Sequence, residues 1–155
     1  MYRKILVATD LTETSEPALR AALELGRSLS AQVSALHVTE PAHTARTWYT
    51  PVLEREGDLY RHVARREKDA ARLVLAELVK KADPDPLPGF SAQAIVRSGI
   101  PADVITDVAK EMAADLLVMG THGRKAIPHF FLGSIAERVV RTAPCPVLTV
   151  RAANS

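Results

Sequence analysis

What most constrains this chain is a change of hydrophobic period that repeats along its length. Five short aliphatic runs alternate with longer stretches in which apolar residues recur every three or four positions. The runs are Lys4–Thr9 (KILVAT), Gln32–Thr39 (QVSALHVT), 91–97 (SAQAIVR), 115–120 (DLLVMG) and 146–151 (PVLTVR). A continuous run such as KILVAT suits a strand covered on both faces. That pattern belongs to parallel sheets whose crossovers are helices. A single α/β unit of five strands accounts for the whole chain, with no repeat, low-complexity tract or linker.

The helical stretches carry their own punctuation. Leu11 to Pro17 turns the chain into the first helix, with Pro17 in the opening turn and Thr14 or Ser15 as the expected N-cap oxygen. Ala18, Leu19, Ala22, Leu23 and Leu25 form its apolar stripe, which Gly26 is expected to end. Residues 40–51 are irregular. A long helix over about 53–82 is expected to bury Leu59, Val63, Ala70, Val74 and Leu78. It would turn Arg61, Arg65, Lys68 and Arg72 to solvent, and Pro84, Pro86 and Pro88 stop it. Ser98-Gly99-Ile100-Pro101-Ala102 opens a third helix, buried through Val104, Ile105, Val108 and Met112. A fourth covers 134–142.

Composition excludes several roles. At 155 residues the chain is one domain, able to bury roughly 68–70% of its unfolded surface without disulfides. Cys145 has no internal partner, which suits a reducing compartment. The apolar run Ile5 to Ala8 is too short for a signal or membrane segment, so a cytoplasmic location is expected. A formal charge of +2, with basic and acidic residues interspersed, gives no nucleic-acid footprint.

Open parallel sheets bind ligands beyond the carboxyl ends of their strands, where strand order reverses. Two strand ends carry unusual chemistry. The first ends in Thr9-Asp10, with a carboxylate just past the strand. The fourth ends in Met119-Gly120-Thr121-His122-Gly123, and its loop closes at Gly133-Ser134, which opens a helix. Gly120 and Gly123 would allow backbone conformations and close approaches denied to residues with a Cβ. Free amides at the Gly133-Ser134 helix start attract phosphate oxygens.

The spacing Gly120-x2-Gly123-x9-Gly133-Ser134, with the flanks VATD, LHV, VRSGIPADVI and GSIAERVVRTAPCPVLTVR, resembles the ATP-binding universal stress proteins along nearly the whole chain. The resemblance implies an open parallel sheet of order 3-2-1-4-5 with helices on both faces, the adenine nucleotide alpha hydrolase-like fold. It implies that Asp10 contacts the ribose or helps with a metal, and that Ala8 and Thr9 border the adenosine. Val38 would meet the adenine through its backbone, and Met119 and Gly120 would line base and ribose. Gly123, Arg124, Gly133, Ser134 and Ile135 would wrap the phosphates. ATP is the implied ligand, with a magnesium or manganese ion on Asp10 and Ser134, and a homodimer through the last strand is the implied assembly. Ala8 stands where many relatives carry proline, and Pro128-His129-Phe130-Phe131 makes the spacer bulkier than usual.

Other polar groups read as scaffold. His122 has no carboxylate nearby in sequence to form a general-base pair. His37 and His43 lack metal-ligand spacing; His37 reads as a strand residue with a local hydrogen bond, and His62 as surface. Cys145 lies between two prolines as a packed thiol, and Asp103 and Asp107 mark a solvated helix face. No GxxxxGK[ST] or GxGxxG sequence occurs, so the site reads as a binding site first. A nucleotide-responsive regulator of stress survival with slow or no hydrolysis is the leading expectation. The alternatives are a weak ATPase or self-phosphorylating enzyme, with Ser134 as one candidate acceptor, and a nucleotide-free dimeric interaction protein.

Overall fold

A computed structural model describes residues 1–40, 57–84, 90, 92–121 and 132–151. Among them are strands β1 (Lys4–Thr9), β2 (Gln32–Thr39), β3 (Ala92–Ser98), β4 (Leu116–Gly120) and β5 (Val147–Val150). The helices are α1 (Glu16–Leu29), α2 (Gly57–Ala82), α3 (Pro101–Glu111) and α4 (Ser134–Thr142). All strands are parallel, in the order β3-β2-β1-β4-β5. The expected sheet and its order are both present. No helix among the described residues is long and apolar enough to cross a membrane.

Strand alternation sorts the core into two layers. Ile5, Val7, Val33, Ala35 and Val118 face α1 and α2, while Leu6, Ala8, Leu36, Leu117 and Met119 face α3 and α4. Leu6, Leu36 and Leu117 are completely buried, and each such side chain stabilises the fold by about 1.5–3 kcal/mol. β1 lies centrally, with β2 on one side and β4 on the other. The chain therefore builds outward from β1 twice, in opposite directions. The reversal falls between β1 and β4.

Three local expectations need correction. α2 buries Leu75 and partly buries Ala71, Leu78, Val79 and Ala82, whereas Val63 and Val74 are exposed at 45% and 48% and Ala70 faces water. Two apolar stripes run along this helix about one residue apart and share Leu78; the sheet takes the one centred on Leu75. The side chain of Leu59 lies outside the described residues. Gly26 does not end α1, which runs on to Leu29 and closes at Ser30 with φ 53°. Its lack of a Cβ serves packing instead, because a Cβ there would lie 2.3 Å from Val33 Cγ2. Neither Thr14 nor Ser15 caps α1, since no side chain bonds its N-terminal amides. Pro17 does occupy the first turn, as does Pro101 in α3.

Candidate functional site at the β1–β4 switch point

The site grows from the end of β1. Ala8 is in register with Met119 on one side and Leu36 on the other. With Val38, two residues past Leu36, these side chains belong to the α3–α4 layer. They give the switch point an apolar floor. Thr9 points to the opposite layer and is 8% exposed. Its hydroxyl lies 2.6 Å from Ser15 Oγ and accepts the Leu11 N–H at 3.1 Å. The structure thus separates the Thr9 side chain from Ala8, Val38 and Met119.

Just past Thr9 the chain makes a tight turn with a definite proton order. Thr12 donates twice to Asp10 Oδ1, from its N–H at 3.0 Å and from its hydroxyl at 2.5 Å. The Thr12 proton is spent, so Thr14 must be the donor in the 2.7 Å contact between their hydroxyls. Ser15 likewise donates to the Thr12 carbonyl at 2.8 Å, so Thr9 must donate to Ser15. The diverted Ser15 hydroxyl explains the missing helix cap. Leu11, at the centre of the turn, has φ 64°, a left-handed conformation that costs an L-residue about 1–2 kcal/mol.

One atom is left over. Asp10 Oδ2 is buried and has no hydrogen-bond partner among the described residues. A carboxylate oxygen left so loses the stabilisation it had in water, at a cost of about 1–3 kcal/mol or more. Such atoms persist where something else satisfies them.

β4 supplies the other wall. Gly120 ends the strand without positive φ, so the expected special backbone conformation is not found there. Thr121 donates its N–H to the Val150 carbonyl at 3.0 Å, and the Gly133 N–H donates to the Thr121 carbonyl at 2.8 Å. The second bond brings the start of α4 against the end of β4. Gly133 is the N-cap residue and offers no side chain to the first-turn amides, which have no intrahelical acceptor. Ser134 and Ile135 are exposed at this helix start. Gly123 and Arg124 lie outside the described residues, as do His43, His122, Phe130 and Phe131.

The remaining candidates are accounted for. His37 is buried and bonds a distant carbonyl, Thr9 O at 2.9 Å, rather than a local one. Asp103 pairs with Arg138 at 2.6 Å on an exposed face. Burial, with a smaller contribution from the Asp115 charge, pushes the Cys145 thiol up, which suits packing rather than reactivity. Among the described residues no three His, Cys, Asp or Glu side chains cluster to hold a metal. Two surface grooves, of about 420 Å³ beside Leu73 and Val74 and about 450 Å³ beside Arg3 and Gln32, contain no switch-point residue.

Sequence reasoning missed Thr12 and the strained Leu11, and gave Ser15 a helix-capping role in place of its contacts with Thr9 and Thr12. The Asp10-Leu11-Thr12 order was a usable signal, because an aspartate often bonds the backbone two residues on.

Comparison with known proteins fits this architecture. The model of the universal stress protein family matches residues 1–151. The chain belongs to the universal stress protein family. A universal stress protein of Methanothermobacter thermautotrophicus is 34% identical over 151 residues, covering 97% of this chain and 97% of that protein. Universal stress protein MJ0577 of Methanocaldococcus jannaschii is 30% identical over 161 residues, covering 100% of this chain and 98% of the relative. Its solved structure superposes with a TM-score of 0.78 over 100% of this chain and 99% of that one, at 27% identity. The structure of the Archaeoglobus fulgidus universal stress protein in complex with dAMP shares the fold, with a TM-score of 0.62, 23% identity and coverage of 97% and 98%.

Proposed function

We propose that this universal stress protein binds ATP at the β1–β4 switch point and acts as a nucleotide-responsive regulator of stress survival with slow or no hydrolysis. The observation that carries the reading is the buried, unpartnered Asp10 Oδ2 beside an apolar floor. It is an acceptor in want of a donor, and a ribose hydroxyl is such a donor. Ala8, Val38 and Met119 would receive the adenine and Gly120 the sugar. The uncapped start of α4, with Gly133, Ser134 and Ile135, would take phosphate oxygens on its amides, joined by Gly123 and Arg124. The dAMP complex of the Archaeoglobus fulgidus relative supports an adenine nucleotide as the ligand class.

A magnesium or manganese ion would draw on Asp10 and Ser134 in place of a direct ribose contact at Oδ2. Asp10 Oδ2 and the Ser134 hydroxyl are hard oxygen ligands, and two of them suffice for an ion that keeps waters and shares phosphate oxygens. When bound, it would neutralise phosphate charge. The absence of a Walker lysine in the sequence favours binding over turnover.

A homodimer through β5 is part of the proposal. β5 is an edge strand, Leu148 on it is 38% exposed, and Val140 on α4 is 47% exposed. Pairing with a second copy would cover an edge that is a hazard alone. Sedimentation velocity giving a monomer at every concentration removes this part. With a single cysteine and so no internal disulfide, the chain suits a reducing, cytoplasmic setting.

The test is acid extraction of the natively purified protein, followed by anion-exchange chromatography of the supernatant. Co-purified ATP supports the proposal. ADP or AMP alone supports turnover instead, and no nucleotide together with no measurable titration refutes binding. Gly123→Val is expected to abolish ATP binding by filling space needed for phosphate. Unchanged affinity in that variant refutes the phosphate placement.

A further inference from the structure

Behind the switch point stands a buried histidine that none of the proposed ligand contacts uses. His37 is 6% exposed and lies in register with Thr9 on the neighbouring strand. By alternation it shares the α1–α2 layer with Val33 and Ala35, the opposite face from Ala8, Val38 and Met119. It therefore stands behind the floor rather than on it. Its Nδ1 is 2.9 Å from the Thr9 carbonyl oxygen. That oxygen can only accept, so Nδ1 carries the proton and donates.

The position of this bond gives it leverage. Thr9 is the last residue of β1, and its carbonyl shares one rigid plane with the Asp10 N–H. Fixing that oxygen fixes the direction in which Asp10 leaves the sheet. The turn beyond is strained at Leu11, and strained turns persist only when their surroundings over-determine them. Thr9 is held from two sides: its hydroxyl by Ser15 and the Leu11 amide, its carbonyl by His37. Asp10 Oδ1 is held by Thr12, which leaves only Oδ2 to face a ligand.

We propose that His37 is a positioning residue of the nucleotide site. Its Nδ1–H locks the Thr9–Asp10 peptide and so aims Asp10 Oδ2 at a ribose hydroxyl. The inference rests on Asp10 being the ribose contact. A histidine that merely satisfied its own burial would affect stability and leave ribose discrimination untouched.

Titration calorimetry on the full chain with ATP, 2′-deoxy-ATP and 3′-deoxy-ATP tests this. Wild-type protein is expected to prefer ATP over at least one deoxy analogue by about tenfold, the worth of one good hydrogen bond. His37→Leu is expected to shrink that preference to about twofold or less, while affinity for the disfavoured analogue changes by no more than about twofold. His37→Asn, whose amide N–H can stand where Nδ1–H does, should keep most of the preference. His37→Gln, whose amide lies one bond further out, should lose it, and this pair decides the matter if the leucine variant does not fold. Undiminished preference in the leucine and glutamine variants overturns the role of His37 alone, as do equal losses for all three nucleotides. Equal binding of all three by wild-type protein overturns the ribose role of Asp10 and the His37 proposal with it. No binding by wild-type protein overturns the site itself.

Discussion

At the N-terminal end of β1, the Asp115 carboxylate accepts the Arg3 and Lys4 amides through a single oxygen, at 2.8 and 2.9 Å. At the C-terminal end, Asp10 accepts two bonds from Thr12 on Oδ1 and keeps Oδ2 buried without a partner. The Arg3 amide first, and the Lys4 amide next, hold the Asp115 carboxyl below its ordinary value of 3.8. The backbone around Asp115 bonds regularly, with the Asp115 N–H on the Lys4 carbonyl at 2.8 Å. Both neighbourhoods hold a left-handed residue, Ala113 (φ 50°) two positions before Asp115 and Leu11 (φ 64°) just after Asp10, so the ends differ in how the carboxylates are bonded rather than in backbone strain. One aspartate closes the sheet. The other is held open by it. On the proposed reading the same side chain serves stability at one end and recognition at the other, so the two ends should answer differently to mutation.

The largest contrast is expected at Asp10. Asp10→Asn keeps the acceptor that Thr12 needs and replaces the unpartnered oxygen with an amide donor, so ATP should bind about 10- to 100-fold more weakly. The thermal midpoint should not fall, because a buried unsatisfied charge has been removed. Calorimetry beside a thermal melt checks both, and a large loss of stability with unchanged affinity would make Asp10 a structural residue like Asp115.

Gly26→Ala probes the closed end. Its new methyl would meet Val33 Cγ2 and, at 3.1 Å, the Phe90 ring. Overpacking of this kind costs about 1–3 kcal/mol. Denaturant unfolding should register that loss while nucleotide affinity stays unchanged. A matching loss of affinity would show that the two ends are coupled and the contrast is too sharp.

The smallest effect is expected at Asp115. Its folded pKa is depressed, so its contribution to stability is fully present above the unfolded value near 3.8 and is lost as pH falls through the lower folded value. Asp115→Asn removes that contribution. The variant's stability should therefore fall less steeply than the wild type's in this acid window, with ATP affinity at neutral pH unaltered. Superimposable pH–stability curves would refute the assignment.

The strands and the switch point were legible because buried parallel strands read as unbroken aliphatic runs. The runs KILVAT and QVSALHVT fall on β1 and β2 residue for residue. The buried face of α2 was not legible, since two apolar stripes one residue apart differ only in how the helix is rolled onto the sheet, which is a tertiary choice. Gly26 looked like a terminator because its real constraint, Val33, belongs to another element. At the site, the placement of Asp10 just past β1 and of Gly133-Ser134 at the start of α4 could be read from residue order. The bond from His37 to Thr9 spans 28 residues, and the Ser15 contact that forgoes a helix cap depends on Thr9 being buried beside it. Bonds of that kind arise only when the sheet assembles.

The most direct test is a crystal structure of the protein soaked with excess ATP. A ribose hydroxyl should lie about 2.5–3.0 Å from Asp10 Oδ2, with the adenine over Ala8, Val38 and Met119 and the phosphates at the start of α4. A crevice filled by Phe130 or Phe131, or a nucleotide bound elsewhere with Oδ2 still alone, would contradict the account.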